Sequence, residues 1–146
     1  MCSSDLLACS PQLGLTGLGL LADMRVAVHR NVGVGGGLLA AVARDNALVG
    51  PELSVDGRVA IPGLRDASAF FRVALGSHYW TGDRSTWMLG WGTGAGLVVG
   101  LSDEIHLGLS YDLRAFHRLD CDKQSCSLES EPELMHLITL SLGLGT

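Results

Sequence analysis

The sequence predicts an all-β protein, an antiparallel up-and-down transmembrane β-barrel, on three observations. From residue 13 onward apolar residues recur at every second position, the period of strands with two unlike faces, and helical periodicity is scarce. One face carries Leu, Val, Ile, Phe, Trp and Tyr, whereas the other carries Gly, Ala and Ser with isolated Arg, Asp and His. The periodic runs extend over roughly nine to fifteen residues, longer than most strands of water-soluble domains. A soluble barrel would bury the large face and show water a glycine surface nearly free of Lys and Glu, which keeps β-proteins soluble poorly. A membrane barrel turns the large face to lipid and keeps the small, polar one inside.

Seven strands follow in order. "GLGLLADMRVAV" places Asp23 and Arg25 on the polar side, and "NVGVGGGLLAAVA" repeats the plan with glycines. "LSVDGRVAI" opposes Leu53, Val55, Val59 and Ile61 to Ser54, Asp56, Arg58 and Ala60. Asp56-Gly57 is also a good two-residue hairpin signal, but the alternation crosses it without a change of phase, which favours one unbroken strand. "ASAFFRVALGSHY" sets Phe71, Val73, Leu75 and Tyr79 against Arg72, Ala74, Gly76 and His78. In "TWMLGWGTGAGLVVG" Gly90, Gly92, Gly94 and Gly96 lie opposite Trp87, Leu89, Trp91, Ala95, Leu97 and Val99. "IHLGLSYDLRAF" puts His106, Asp112 and Arg114 on the polar face, and "HLITLSLGLGT" ends the chain.

Short turns are expected at 29–31, 62–66 and 101–104, and longer connections at 44–50, 80–85 and 117–133. That alternation describes a meander. Trp80, Trp87, Tyr79 and Phe116, close to strand ends, suit an interfacial aromatic belt.

The 146 residues suit one domain, residues 13–146, after a segment 1–12 set apart from it. Its opening "MCSSDL" matches a translated sequencing adapter and is excluded from fold reasoning, with the expectation that an upstream signal peptide and an ascending first strand belong to the natural protein. Adding that strand makes eight, the even number expected of such barrels. Lys123 is the one lysine among ten basic Lys and Arg residues, and the net charge of −5 offers no basic stripe for nucleic acid.

Residues 87–116, followed by a polar loop and "LITLSLGLGT", resemble the closing strands of small bacterial outer-membrane β-barrels of the OmpA/OmpX-like type. The resemblance implies an eight-stranded barrel in a Gram-negative outer membrane, lipid and lipopolysaccharide as surroundings, and insertion by the barrel-assembly machinery. Such barrels usually end in an aromatic residue, whereas this chain ends in Thr146.

Asp23, Arg25, Asp56, Arg58, Arg72, His78, His106, Asp112 and Arg114 are expected to face one another inside the barrel as a salt-bridged plug, against the alternative of a selective lumen. Cys121 and Cys126 in "CDKQSC" are disulfide candidates in an oxidising compartment; a zinc site needs further ligands, and Cys2 and Cys9 are far away. No cofactor is expected. Ser77, His78, His106, Ser110 and His136 suggest a lipid-A-modifying hydrolase as one alternative function, although no Ser/His/acid spacing fixes a triad. A soluble lipocalin-like carrier is the other. The acidic loop 120–133 lacks the spacing of a calcium loop, and "GVGGGL" lacks the Lys-Ser/Thr of a phosphate loop. The expected role is structural or interactive.

Overall fold

The computed structural model describes residues 15–43, 46–81, 85–121, 125–128 and 131–145. The segment assigned to adapter sequence, with Cys2 and Cys9, lies outside these residues. The elements are β1 (Leu15–His29), β2 (Val32–Ala43), β3 (Asn46–Ala60), β4 (Ala67–Thr81), β5 (Thr86–Gly100), β6 (Ile105–Cys121), β7 (Cys126–Leu128) and β8 (Glu133–Gly145).

Six long strands pair antiparallel with their sequence neighbours from β1 to β6, and β8 then pairs with both β6 and β1. The sheet therefore closes into a barrel of seven long strands. The β1–β8 seam is parallel, from Leu15 opposite Met135 to Arg25 opposite Gly145. With alternating strand directions, an odd number in a ring forces one such parallel neighbour pair; a further strand antiparallel to both would restore strict alternation. Following the register from Arg25 through Gly35, Ser54, Ala74, Gly92, Arg114 and Met135 returns to β1 at Leu15. That stagger obliges the strands to tilt around the axis.

The turns at 30–31, 61–66 and 101–104, with the end of β8, define one mouth, here the turn end. The opposite mouth is the loop end. In the 61–66 turn Gly63 (φ 84°) and Asp66 (φ 63°) adopt the left-handed region, and the Asp66 carbonyl accepts the Gly100 N–H at 2.7 Å, tying two turns together.

β3 is unbroken through Asp56-Gly57, as the phase of its alternation requires. It also begins earlier than expected, because Asn46–Gly50 belong to the strand and not to a long connection. Pro51 sits inside it on the outward face. Having no N–H, Pro51 cannot donate to the ladder, and the β3–β4 pairing skips from Val49–Tyr79 to Glu52–Gly76. β6 likewise runs beyond the expected 116 to Cys121, then folds back as a three-residue hairpin with β7.

Alternation sorts the side chains cleanly. Leu18, Leu20, Met24, Leu53, Leu75, Trp91, Leu109 and Leu142 point outward and are exposed, whereas Asp56, Arg72, Asp112 and Arg114 point inward and are at most 2% exposed. Among the described residues, the outward rows of the seven long strands hold no Asp, Glu, Lys or Arg. Trp80 and Phe116, whose nearness to strand ends suited an outer belt, point inward and are buried. Trp80 follows the outward Tyr79, and Phe116 shares the side of His106, Asp112 and Arg114, where the alternation of its strand puts it.

Candidate functional site

All nine residues expected inside lie on the inner face, and the lumen they fill has three successive zones. At the turn end β1 brings Asp23 and Arg25 beside Asp56 and Arg58 of β3. The Asp56 carboxylate accepts Arg58 Nε at 2.7 Å and Arg25 Nη1 at 3.2 Å, and Arg25 Nε pairs with Asp23. His106 of β6 and Asp23 flank Gly143: a Cβ built there would sit 3.0 Å from both Asp23 Oδ1 and the His106 ring. Gly33, opposite Asp56, leaves room for its carboxylate, which is 3.3 Å from where a Cβ would stand.

The Phe70 ring links the first zone to the second, with the guanidinium carbons of Arg25 and Arg72 at 5.7 and 5.4 Å from its centroid. Such a face offers a buried cation partial compensation for lost water.

In the second zone Arg72 Nη2 donates to Ser110 Oγ at 3.2 Å and to Asp112 Oδ1 at 3.3 Å, and Ser110 Oγ donates to Asp112 Oδ2 at 2.7 Å. Arg114 grips Glu52 with two prongs, Nη1 to Oε2 at 2.9 Å and Nη2 to Oε1 at 3.2 Å. His78 Nε2 lies 3.9 Å from Glu52 Oε2, and neither ring nitrogen has a hydrogen-bond partner. Its ring meets Phe116 edge-on, with centroids 5.4 Å apart.

Phe116 begins the third zone. Leu39, Leu48, Trp80, Met88, Met135 and Leu137 pack around it into an apolar core that closes the lumen toward the loop end. The barrel is thus filled with paired charge over one part of its length and with hydrocarbon over the rest.

Glu52 is the functional residue the sequence pattern did not yield. It continues the phase of Ser54, Asp56 and Arg58 backward by one step, and extending that alternation across Pro51 would have found it. With it, the four luminal arginines Arg25, Arg58, Arg72 and Arg114 face four carboxylates, Asp23, Glu52, Asp56 and Asp112. Phe70 also escaped, being masked by its outward neighbour Phe71.

The hydrolase candidates are not brought together. Ser77 and His78 are consecutive strand residues on opposite faces, Ser110 is held by Asp112 and Arg72, and His106 belongs to the turn-end zone. His136 lies on the outer face, bonded to the Tyr111 hydroxyl. The outer face at that level also holds Trp91, whose Nε1–H donates to His117 Nε2 at 3.4 Å, and a Tyr79–Trp87 edge contact at 5.4 Å.

Cys121 and Cys126 are disulfide-bonded across the β6–β7 hairpin. Among the described residues no group of three or more His, Cys, Asp or Glu side chains is arranged to hold a metal ion. No family model, curated protein or solved structure matches the chain. Fold and lumen together define the class: a closed β-barrel, largely apolar outside, with balanced charge and then hydrocarbon filling its interior.

Proposed function

We propose that the protein is an integral β-barrel of a Gram-negative outer membrane, with a structural or interaction role and a lumen that is a plug. One observation carries this reading. The outward rows of the seven long strands are predominantly apolar and hold no Asp, Glu, Lys or Arg among the described residues, while four arginines and four carboxylates lie inside. Water-soluble proteins distribute these groups the opposite way. A closed ring of strands also satisfies its own backbone hydrogen bonds, as a hydrocarbon solvent demands.

The outward aromatics Tyr79, Trp87 and Trp91 lie in the loop-end halves of β4 and β5 and suit one membrane–water interface. In this reading the short turns face the periplasm, lipid and lipopolysaccharide surround the barrel, and the barrel-assembly machinery inserts it. A lipocalin-like carrier would need an apolar cavity inside and a polar coat outside, the inverse of this arrangement.

The test is refolding from urea into lauryldimethylamine oxide micelles and lipid vesicles. A membrane barrel gains β-structure only with detergent or lipid and migrates differently in gels before and after boiling. A chain that folds in buffer alone and does not shift on boiling overturns the proposal.

A further inference from the structure

We infer that the turn-end mouth of the lumen binds a phosphate group, carried by free phosphate or by a lipid headgroup. A depression of about 210 Å³ opens there between the β1–β2 turn, β3 and β6. Its lining converges the cationic side chains Arg25, Arg30 and Arg58 with His29, His106 and Asn31.

Around this depression three guanidiniums, Arg25, Arg30 and Arg58, meet two carboxylates, and both carboxylates are already engaged: Asp56 by both Arg58 and Arg25, Asp23 by Arg25. Arg58 reaches Asp56 through Nε, so its two terminal nitrogens remain for another acceptor. Among the described residues no carboxylate pairs with Arg30. His106 Nε2 is buried and without a partner at the inner wall of the same depression.

Local backbone features build the shape. The β1–β2 register shifts between Ala27 and His29, so Val28 is an extra residue that turns His29 and Arg30 over the opening. The Asn31 carbonyl accepts the Arg58 backbone N–H at 2.8 Å, which holds the turn above the Arg58 side chain. Gly33 keeps the floor open beside Asp56. Planar guanidiniums with free paired N–H groups match the oxygens of a phosphate, and an anion here offsets the excess positive charge of the depression's own lining.

Isothermal titration of the folded protein in octyl glucoside with inorganic phosphate tests the free source. Native mass spectrometry from nanodiscs of mixed phosphatidylcholine and phosphatidylglycerol tests the headgroup source. We expect saturable binding in at least one arm, weakened tenfold or more in both Arg58→Gln and Arg30→Gln. Arg65→Gln, on the 61–66 turn and outside the depression, leaves it unchanged. Arg30 has no luminal partner, so its variant decides the matter if Arg58→Gln fails to fold. Absence of binding in both arms, or equal weakening by Arg65→Gln, overturns the inference.

Discussion

Arg114 and Glu52, 62 positions apart in the chain, meet in the lumen through two hydrogen bonds of 2.9 and 3.2 Å. One comes from β6 and the other from β3, strands that are not neighbours in the sheet, so the pair spans the barrel's interior. It fastens opposite walls where backbone hydrogen bonds cannot reach.

Removing one partner leaves a buried charge uncompensated. Glu52→Ala is expected to destabilise the folded barrel by about 3–5 kcal/mol, whereas the double change Glu52→Leu with Arg114→Met recovers most of that loss. Urea unfolding in vesicles, followed by tryptophan emission, checks both.

The glycine face of β5 has a steric reason that can be measured. A Cβ on Gly94 would collide with the Asp112 carboxylate, and one on Gly90 would come within 2.7 Å of the Phe116 ring. Gly94→Ala and Gly90→Ala are each expected to cost about 1–3 kcal/mol through overpacking. Gly57→Ala, whose nearest contact would be 4.0 Å away, is expected to be neutral or to stabilise by about 0.4–1 kcal/mol. The temperature at which the compact gel band disappears ranks the three variants.

Depth-dependent cost separates lipid from water as the outer solvent. Leu75 lies mid-strand on β4 and Val59 one residue from the end of β3, both pointing outward. In a bilayer Leu75→Arg is expected to cost about 2–4 kcal/mol and Val59→Arg about 0–1 kcal/mol. Equal, small effects in vesicle unfolding would mean that water bathes both positions.

The parallel seam makes a positional prediction. Leu20 stands opposite Leu140, and Leu142 opposite Ala22. With Cys2 and Cys9 replaced by Ser, Leu20→Cys with Leu140→Cys is expected to cross-link within one chain on mild oxidation, and Leu20→Cys with Leu142→Cys far more slowly. Peptide mapping by mass spectrometry reads the difference; the reverse preference would displace the register by two residues.

Strand identity and facing were legible because a period of two survives in every long strand, even where glycine replaces bulk, as in Gly90, Gly92 and Gly94. The inward set from Asp23 to Arg114 followed from parity alone. Pairing did not follow. Which arginine meets which carboxylate depends on register and stagger, quantities that no single strand encodes, and Arg114 reaches past its neighbours to Glu52. Glu52 itself was missed because the expected strand began at Leu53; the strand in fact continues back through Pro51, an outward position where a proline costs only part of one ladder. The parallel seam was equally silent: β1 and β8 carry the same alternation whichever way they run. The division of the lumen into salt and hydrocarbon also emerges only when inward residues of distant strands are set at one height, as Trp80, Met88 and Leu137 are.

The equality of four guanidiniums and four carboxylates in the lumen makes the plug indifferent to voltage. An electric field along the axis pulls Arg72 and Asp112 in opposite directions with equal force, and likewise Arg114 and Glu52. Work done by a potential scales with net charge moved. A tethered neutral cluster has none to move, so a field can polarise this interior but gains nothing by expelling it.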